Sequence, residues 1–231
     1  NDSDEYVYVY DKDGKTIYTY LQLPHYLFDK RIKFGKTPNS YIYKDTVRFI
    51  LPYDYNIYSV TENSLSVTYQ FIPENPIPPS VLKNAEDVTS LNTSTLMARG
   101  YDFGFSNILE TDSYLFFDYS SKQSMKKCMF DKRSRTLRVM PYPDKYYNKG
   151  MAENMSVDDV WQYLLYDISP IYCDGEFIYG RIYIRTYEML KDCSDKLDDR
   201  LLSLKNNLED YIKANNITVG DAIILKIALS R

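Results

Sequence analysis

The chain has 231 residues, 28 of them basic and 32 acidic, with a net charge of −4 and a sequence pI of about 5.2. That balance opposes the basic stripe with which proteins track a nucleic-acid backbone, and the mix of 44% hydrophobic and 26% charged residues excludes wholesale disorder. Twenty-five tyrosines against eight glycines point to sheets, because tyrosine suits a pleated surface where one ring face packs and the hydroxyl stays wet.

The sequence opens Asn1-Asp2-Ser3-Asp4-Glu5, with neither an initiator methionine nor a secretory signal, and is expected to be a processed or trimmed product. Residues 5–10 alternate strand-forming types. Asp11 to Gly14 then turn the chain into residues 15–20, and Gly14 can take the left-handed conformation that closes a short hairpin with a bulge. The Asp-x-Asp-Gly string at this turn resembles a calcium loop in part. Val9 and Tyr20 stand where such a loop needs carboxylates, so a plain turn is expected.

The same pattern recurs. Residues 46–51 form a strand, 52–55 a turn and 56–60 the next strand, and Thr61 to Ser64 turn into 65–71. Further on, 113–119 and 126–130 are strands, and Asp131 to Ser134 turn into 136–140. Short strands meeting at polar turns argue an all-β sandwich, barrel or propeller. The turns at Asp11, Thr61 and Asp131 each fall between the last two strands of a group, and they start 50 and then 70 residues apart. Propeller blades are four-stranded and about 40–50 residues long. The proline-rich stretch from Ile72 to Pro79 and the polar one to Ser94 account for the wider interval.

Two helices are expected. Ser156 can cap residues 157–165, with Asp158 and Asp159 in the favourable first turn. A longer helix over 195–214 carries Leu197, Leu201, Leu204, Leu208 and Tyr211 as a single stripe, which suits a helix lying on its own sheet. Lys196, Asp199, Lys205 and Asn206 are expected to face water. A coiled-coil pairing is the less favoured reading, since two heptads are short for a zipper. Asn215 and Asn216 end the helix, and residues 222–229 form a buried last strand, so the helix is a helical insertion within the last blade.

Several segments together resemble a six-bladed β-propeller family widespread in Bacteroidetes-type bacteria and of unknown function. They are residues 8–15, 47–53 with 56–58, 66–69 leading to Ile77 and Pro78, 110–117, Tyr166-Asp167-Ile168, and 221–226. The resemblance implies an all-β, propeller-like fold in which residues 1–231 are a single domain or the C-terminal part of one, with about three to four blades of four antiparallel strands. The remaining blades are then expected upstream in the gene or in another chain. It also implies export to the cell envelope, periplasmic or anchored at the outer membrane. The family supplies no agreed catalytic residue to carry over. Family members often have an Asn-Asp-Ile-Asp-Gly-Gly turn where this chain has residues 166–170, Tyr-Asp-Ile-Ser-Pro.

Chemistry is sparsely signalled. His25 is the only histidine, so any Ser-His-Asp, Cys-His or multi-histidine metal site must use it. It is expected at the end of a strand, on an edge or loop. Asp102, Glu110, Asp112, Asp118, Asp167, Asp174 and Glu176 are candidates for the paired carboxylates of a carbohydrate-active enzyme. Residues 99–104 have two glycines at the wrong spacing for a nucleotide loop. Cys128, Cys173 and Cys193 are expected as three buried thiols. Lys126, Lys127, Lys132, Arg133, Arg135 and Arg138 are read as a solvated hairpin face. No run approaches a membrane span. No catalytic, cofactor-binding or metal-ligating residue is therefore assigned. The favoured reading is a binding or interaction module for an unknown glycan or protein ligand, with tyrosines available to stack on sugar rings or peptides.

Overall fold

The computed structural model of the chain describes residues 3–24, 40–51, 54–83, 93–121, 124–141, 149–173, 177–218 and 221–228. Its strands fall into four antiparallel sheets. The first is the hairpin β1 (Ser3–Tyr10) and β2 (Thr16–Pro24). The second runs in sequence order through β3 (Ser40–Tyr43), β4 (Thr46–Ile50), β5 (Asn56–Val60) and β6 (Leu65–Gln70). The third does the same through β7 (Phe103–Glu110), β8 (Tyr114–Ser121), β9 (Ser124–Asp131) and β10 (Thr136–Pro141). The last joins β11 (Ser169–Cys173), β12 (Phe177–Tyr183) and β13 (Ala222–Ala228). The repeating four-strand unit is the one that the turn spacing predicts.

Short polar side chains close the turns. The Asp11 carboxylate accepts from the backbone N–H groups of Asp13 (2.9 Å) and Lys15 (2.8 Å), while Gly14 sits at φ 80°. This is an Asx turn followed by the left-handed residue that a bulged hairpin needs. Asp131 repeats it, accepting from the N–H groups of Arg133 and Ser134, with Arg135 at φ 56°. Between β7 and β8, Thr111 Oγ1 accepts from the N–H of Tyr114 at 2.8 Å. The Thr61 and Asp131 turns each join the last two strands of their four-stranded sheets, and the Asp11 turn joins the two strands of the first sheet.

The chain divides into two compact units, Asn1–Ile108 with Phe117–Lys126, and Leu109–Phe116 with Lys127–Arg231. In the first unit an aromatic cluster forms where Phe71 stacks on Phe105 (4.9 Å) and tilts onto Phe117 (4.5 Å), and Phe105 stacks on Tyr119 (5.4 Å). Offset packing of this kind adds to the burial of large apolar rings. The segment read as a polar insert contains two short helices, α1 (Pro79–Lys83) and α2 (Thr93–Ala98). Pro79 stands at the first helical position, where its missing N–H costs nothing. Ile77, Leu82, Leu96 and Phe103 form a small core beneath them.

The second unit is a helical layer on a sheet. Ser156 caps α3 (Val157–Asp167) in a reciprocal box: its hydroxyl accepts from the Asp159 N–H at 3.2 Å, and its own N–H donates to the Asp159 carboxylate at 2.8 Å. Between β12 and β13 lie α4 (Ile184–Asp192), a 3-10 turn (Ser194–Lys196) and α5 (Asp199–Asn215). The expected helix over 195–214 thus starts four residues late, because Asp198 rather than an earlier residue caps it, accepting from the Leu201 N–H at 2.8 Å. Asn216, at φ 52°, ends it in the left-handed conformation that Asn tolerates.

The expected leucine stripe is present with one replacement. Leu201 and Leu208 are buried, at 0% and 3% exposed, and Leu197, Leu204 and Ile212 pack at the margin of the same core, whereas Tyr211 is 49% exposed. Their neighbours are Val160 and Leu164 of α3, Met189 and Leu190 of α4, and Ile182 and Ile223 of the sheet. Two lysines expected in water are not there. Lys196 Nζ donates to the carbonyls of Ala152 and Glu153, both at 2.6 Å, and the half-buried Lys205 pairs with Glu209 at 3.4 Å. The last strand also departs from expectation. Among the described residues β13 lies at the edge of its sheet, with Ile223 buried and Ile224 53% exposed.

Among the described residues no helix is long and apolar enough to cross a membrane. Cys128 and Cys193 are buried, and burial pushes the Cys193 thiol up from its usual range. The side chain of Cys173 lies outside the description.

Candidate functional site

A cleft in the first unit is built from three separated stretches of sequence. Strand alternation puts Val7 and Val9 on one face of β1 and Tyr8 and Tyr10 on the other. The two tyrosines are 46% and 56% exposed, and their rings stack at 6.2 Å with an interplanar angle of 20°. Val47 and Phe49 of β4 and Val60 of β5 line the same cleft. The register pairs Val47 with Val60 and Phe49 with Tyr58, so these residues share one sheet face. Phe49 lies stacked on Tyr58 at 5.3 Å.

Turns supply the polar rim. Lys44 and Asp45, at φ 47° and 59°, make the two-residue link between β3 and β4, which is the left-handed pair of a type I′ turn. That turn brings Asp45 to the cleft, and the β5–β6 turn brings Thr61 and Glu62. The cleft has a volume of about 810 Å³, within the range of sites that hold small ligands. Exposed aromatic faces can pack on the C–H faces of a sugar ring or on peptide side chains, and the rim carboxylates can accept from hydroxyl or amine donors.

On the same sheet face a half-buried polar network around Tyr58 fixes the turn at Asp54. Tyr58 donates to the Asp54 carboxylate at 2.5 Å, and Asn56 Nδ2 donates to the same group at 2.8 Å. Burial, followed by the hydrogen bond to Asp54, pushes the Tyr58 hydroxyl up to about 12. Tyr55 is raised in the same direction, chiefly by burial.

None of the described carboxylates singled out from the sequence lines the cleft. Asp102 is 1% exposed and acts as a clamp: its Oδ2 accepts from the Asn75 N–H at 2.9 Å, and its carbonyl accepts from the Tyr55 hydroxyl at 2.9 Å. Glu110 is buried and pairs with Lys132 at 2.5 Å. Asp112 stands exposed in a turn, and Asp118 accepts from Asn107 Nδ2 at 2.7 Å. Asp167 pairs with Arg185 at 2.5 Å and accepts from the Thr186 hydroxyl. His25, Asp174 and Glu176 lie outside the described residues. Among the described residues no three His, Cys, Asp or Glu side chains stand together as a metal-binding set.

The basic cluster is only partly a solvated face. Arg133, Arg135 and Arg138 are exposed, but Lys132 holds Glu110, and Lys127 donates to the Ile168 carbonyl at 2.8 Å while lying over the Tyr166 ring at 4.9 Å. Sequence reasoning missed Asp45, Glu62 and the wall of β4. The one local signal was the pair of tyrosines at positions 8 and 10.

A sequence-family model described as a 6-bladed beta-propeller matches residues 1–166. The crystal structure of a putative exported protein from Bacteroides fragilis is similar at a TM-score of 0.64 and 18% identity, over 99% of this chain and 59% of that one. At that identity the likeness concerns the fold, and the chain spans 59% of that protein's length. No curated protein matches.

Proposed function

Because the chain belongs to a family of six-bladed β-propellers whose function is not established, we propose that it forms part of a non-catalytic binding module of the bacterial envelope, taking a glycan or an extended peptide in the cleft beside β1. The observation that carries this reading is the stacked, exposed pair Tyr8 and Tyr10 in a cleft of about 810 Å³ that Val47, Phe49 and Val60 also line, together with Asp45 and Glu62. The description of the Bacteroides fragilis protein as a putative exported protein supports placement in the periplasm or at the outer membrane. The family's six blades exceed the four sheets described, two of them incomplete. We expect the remaining blades from the rest of the polypeptide or from another chain.

The test is made on the full-length protein, by glycan array and polysaccharide pull-down alongside a turnover assay on the same ligands. Binding is expected, with no product formed, and Tyr10→Ala should weaken it about tenfold, the equivalent of about 1.4 kcal/mol. Unchanged binding in Tyr8→Ala and Tyr10→Ala would remove the cleft from consideration. Bond cleavage abolished by a single Asp or Glu substitution would establish the carbohydrate-active enzyme instead.

A further inference from the structure

The cleft beside β1 is charged as well as apolar, and its two carboxylates are not scattered over it. Val47 of β4 and Val60 of β5 are register partners. Asp45 stands two residues before Val47 and Glu62 two residues after Val60, so both acids sit at the same end of one strand pair. They belong to separate turns, β3–β4 and β5–β6, which the strand order brings to one end of the sheet. Both are exposed, and both line the cleft. Like charges on neighbouring strands repel, and a cation held between them relieves that repulsion.

Two further features favour a cation on an apolar stem. Tyr8 and Tyr10 present exposed, stacked rings, and the face of a tyrosine attracts ammonium and guanidinium groups. The same sheet already makes this contact within itself: Arg48 lies over the rings of Tyr43 and Tyr69, at 4.8 and 5.7 Å, and Lys44 over Tyr43 at 5.3 Å. Val47, Phe49 and Val60 supply apolar lining. Lysine and arginine side chains meet both demands, because their methylene stems pack on apolar surface while the charged head reaches a carboxylate. A neutral sugar offers hydroxyls to the acids and C–H faces to the rings, but nothing that offsets their charge. A free amine fills little of about 810 Å³, whereas a few residues of extended chain occupy it. Resting on the reading of this cleft as a binding site, we propose that its occupant is an extended peptide segment carrying lysine or arginine. The stem packs on the apolar lining and the tyrosine rings, and Asp45 and Glu62 hold the cationic head.

The full-length protein is screened on an array of random octapeptides with the glycan array alongside, and the peptides that bind are then measured by fluorescence anisotropy. Bound peptides are expected to be enriched in lysine and arginine, and raising the salt concentration should weaken them. Asp45→Asn combined with Glu62→Gln should weaken them about tenfold, each exposed charge pair contributing a few-fold, with an unchanged thermal melt. Asp210→Asn, at an exposed position of α5, should leave their affinity unchanged. Peptides bound without a preference for basic residues, glycans bound in their place, or an equal loss in Asp210→Asn overturn the proposal. If Tyr10→Ala still weakens such peptides or glycans, the cleft remains a binding site and only its charge preference falls. Absence of binding on both arrays overturns the two readings together.

Discussion

Replacing Leu201 by Ala tests the helical layer at its best-buried point. The side chain is fully buried among α3, α4 and the β11–β13 sheet. Losing three carbon groups at about 0.8 kcal/mol each costs about 2.4 kcal/mol. A hole of roughly 60 Å³ that the helices do not fully close adds about 1.4 kcal/mol at about 24 cal/mol per Å³. The variant should therefore be destabilised by about 4 kcal/mol. Trp161 is the only tryptophan, sits at the margin of the same core, and donates from its indole N–H to Asp198 at 2.9 Å, so its fluorescence in urea reports this unit's unfolding. Leu204→Ala, at a half-buried position, should cost less than half as much. Leu202→Ala, 39% exposed, should stay within about 0.5 kcal/mol. A cost below about 1 kcal/mol for Leu201 would refute the packing described. So would a halved mass in light scattering with an unchanged unfolding curve, which would make the stripe a surface for a second copy.

Three further outcomes follow from named contacts. Tyr58 should ionise only at about 12, seen as the part of the tyrosinate absorbance that Tyr58→Phe removes. Its raised folded pKa means that its contribution is complete below the unfolded value of about 10 and is lost as pH rises towards 12. The Asp159 carboxyl is held low by hydrogen bonds from the Ser156 N–H and then its hydroxyl. Its stabilisation is therefore present above the ordinary carboxylate range and lost as pH falls through the folded value, and Asp159→Asn should flatten the acid side of the stability profile. Asp198→Ala removes the cap of α5 and the Trp161 partner together; it should cost about 1 kcal/mol and shift the Trp161 emission of the folded protein.

The hairpins were legible where a side chain announces the turn. Asp11, Thr61 and Asp131 mark strand pairs because short polar groups at a turn's first position bond the backbone ahead of them. Three elements carried no such mark. β3 is four residues long and turns on Lys44 and Asp45, neither of them a turn glycine. β7 is interrupted by Gly104 and Asn107, at φ 70° and 51°, which break the alternation that identifies a strand. α4 follows β12 with no intervening residue, and Tyr183 makes no side-chain cap; Asp167, from the preceding helix, holds its first turn through Arg185 and Thr186. The start of α5 was misplaced because Asp195 and Asp198 both resemble caps, and a 3-10 turn takes up the earlier one. The cleft left almost no trace in the sequence, since its walls come from residues 7–10, 40–50 and 60–62, and only folding brings them together.

The helices inserted between β12 and β13 also set an order of events during folding. Tyr183 and Ala222 are register partners, yet residues 184 to 221 separate them in the chain. Closing an unstructured loop of that length is entropically costly before any ladder bond rewards it, whereas α4 and α5, each built from local contacts, form quickly and draw the two ends together. The strand pair is then a late product of a helical hairpin. A newly made chain holds β12 with one side unpaired until α5 is complete. In pulsed exchange the amides of α5 should become protected before those of β13, and a helix-breaking change such as Leu208→Pro should delay the sheet that it never touches through its backbone.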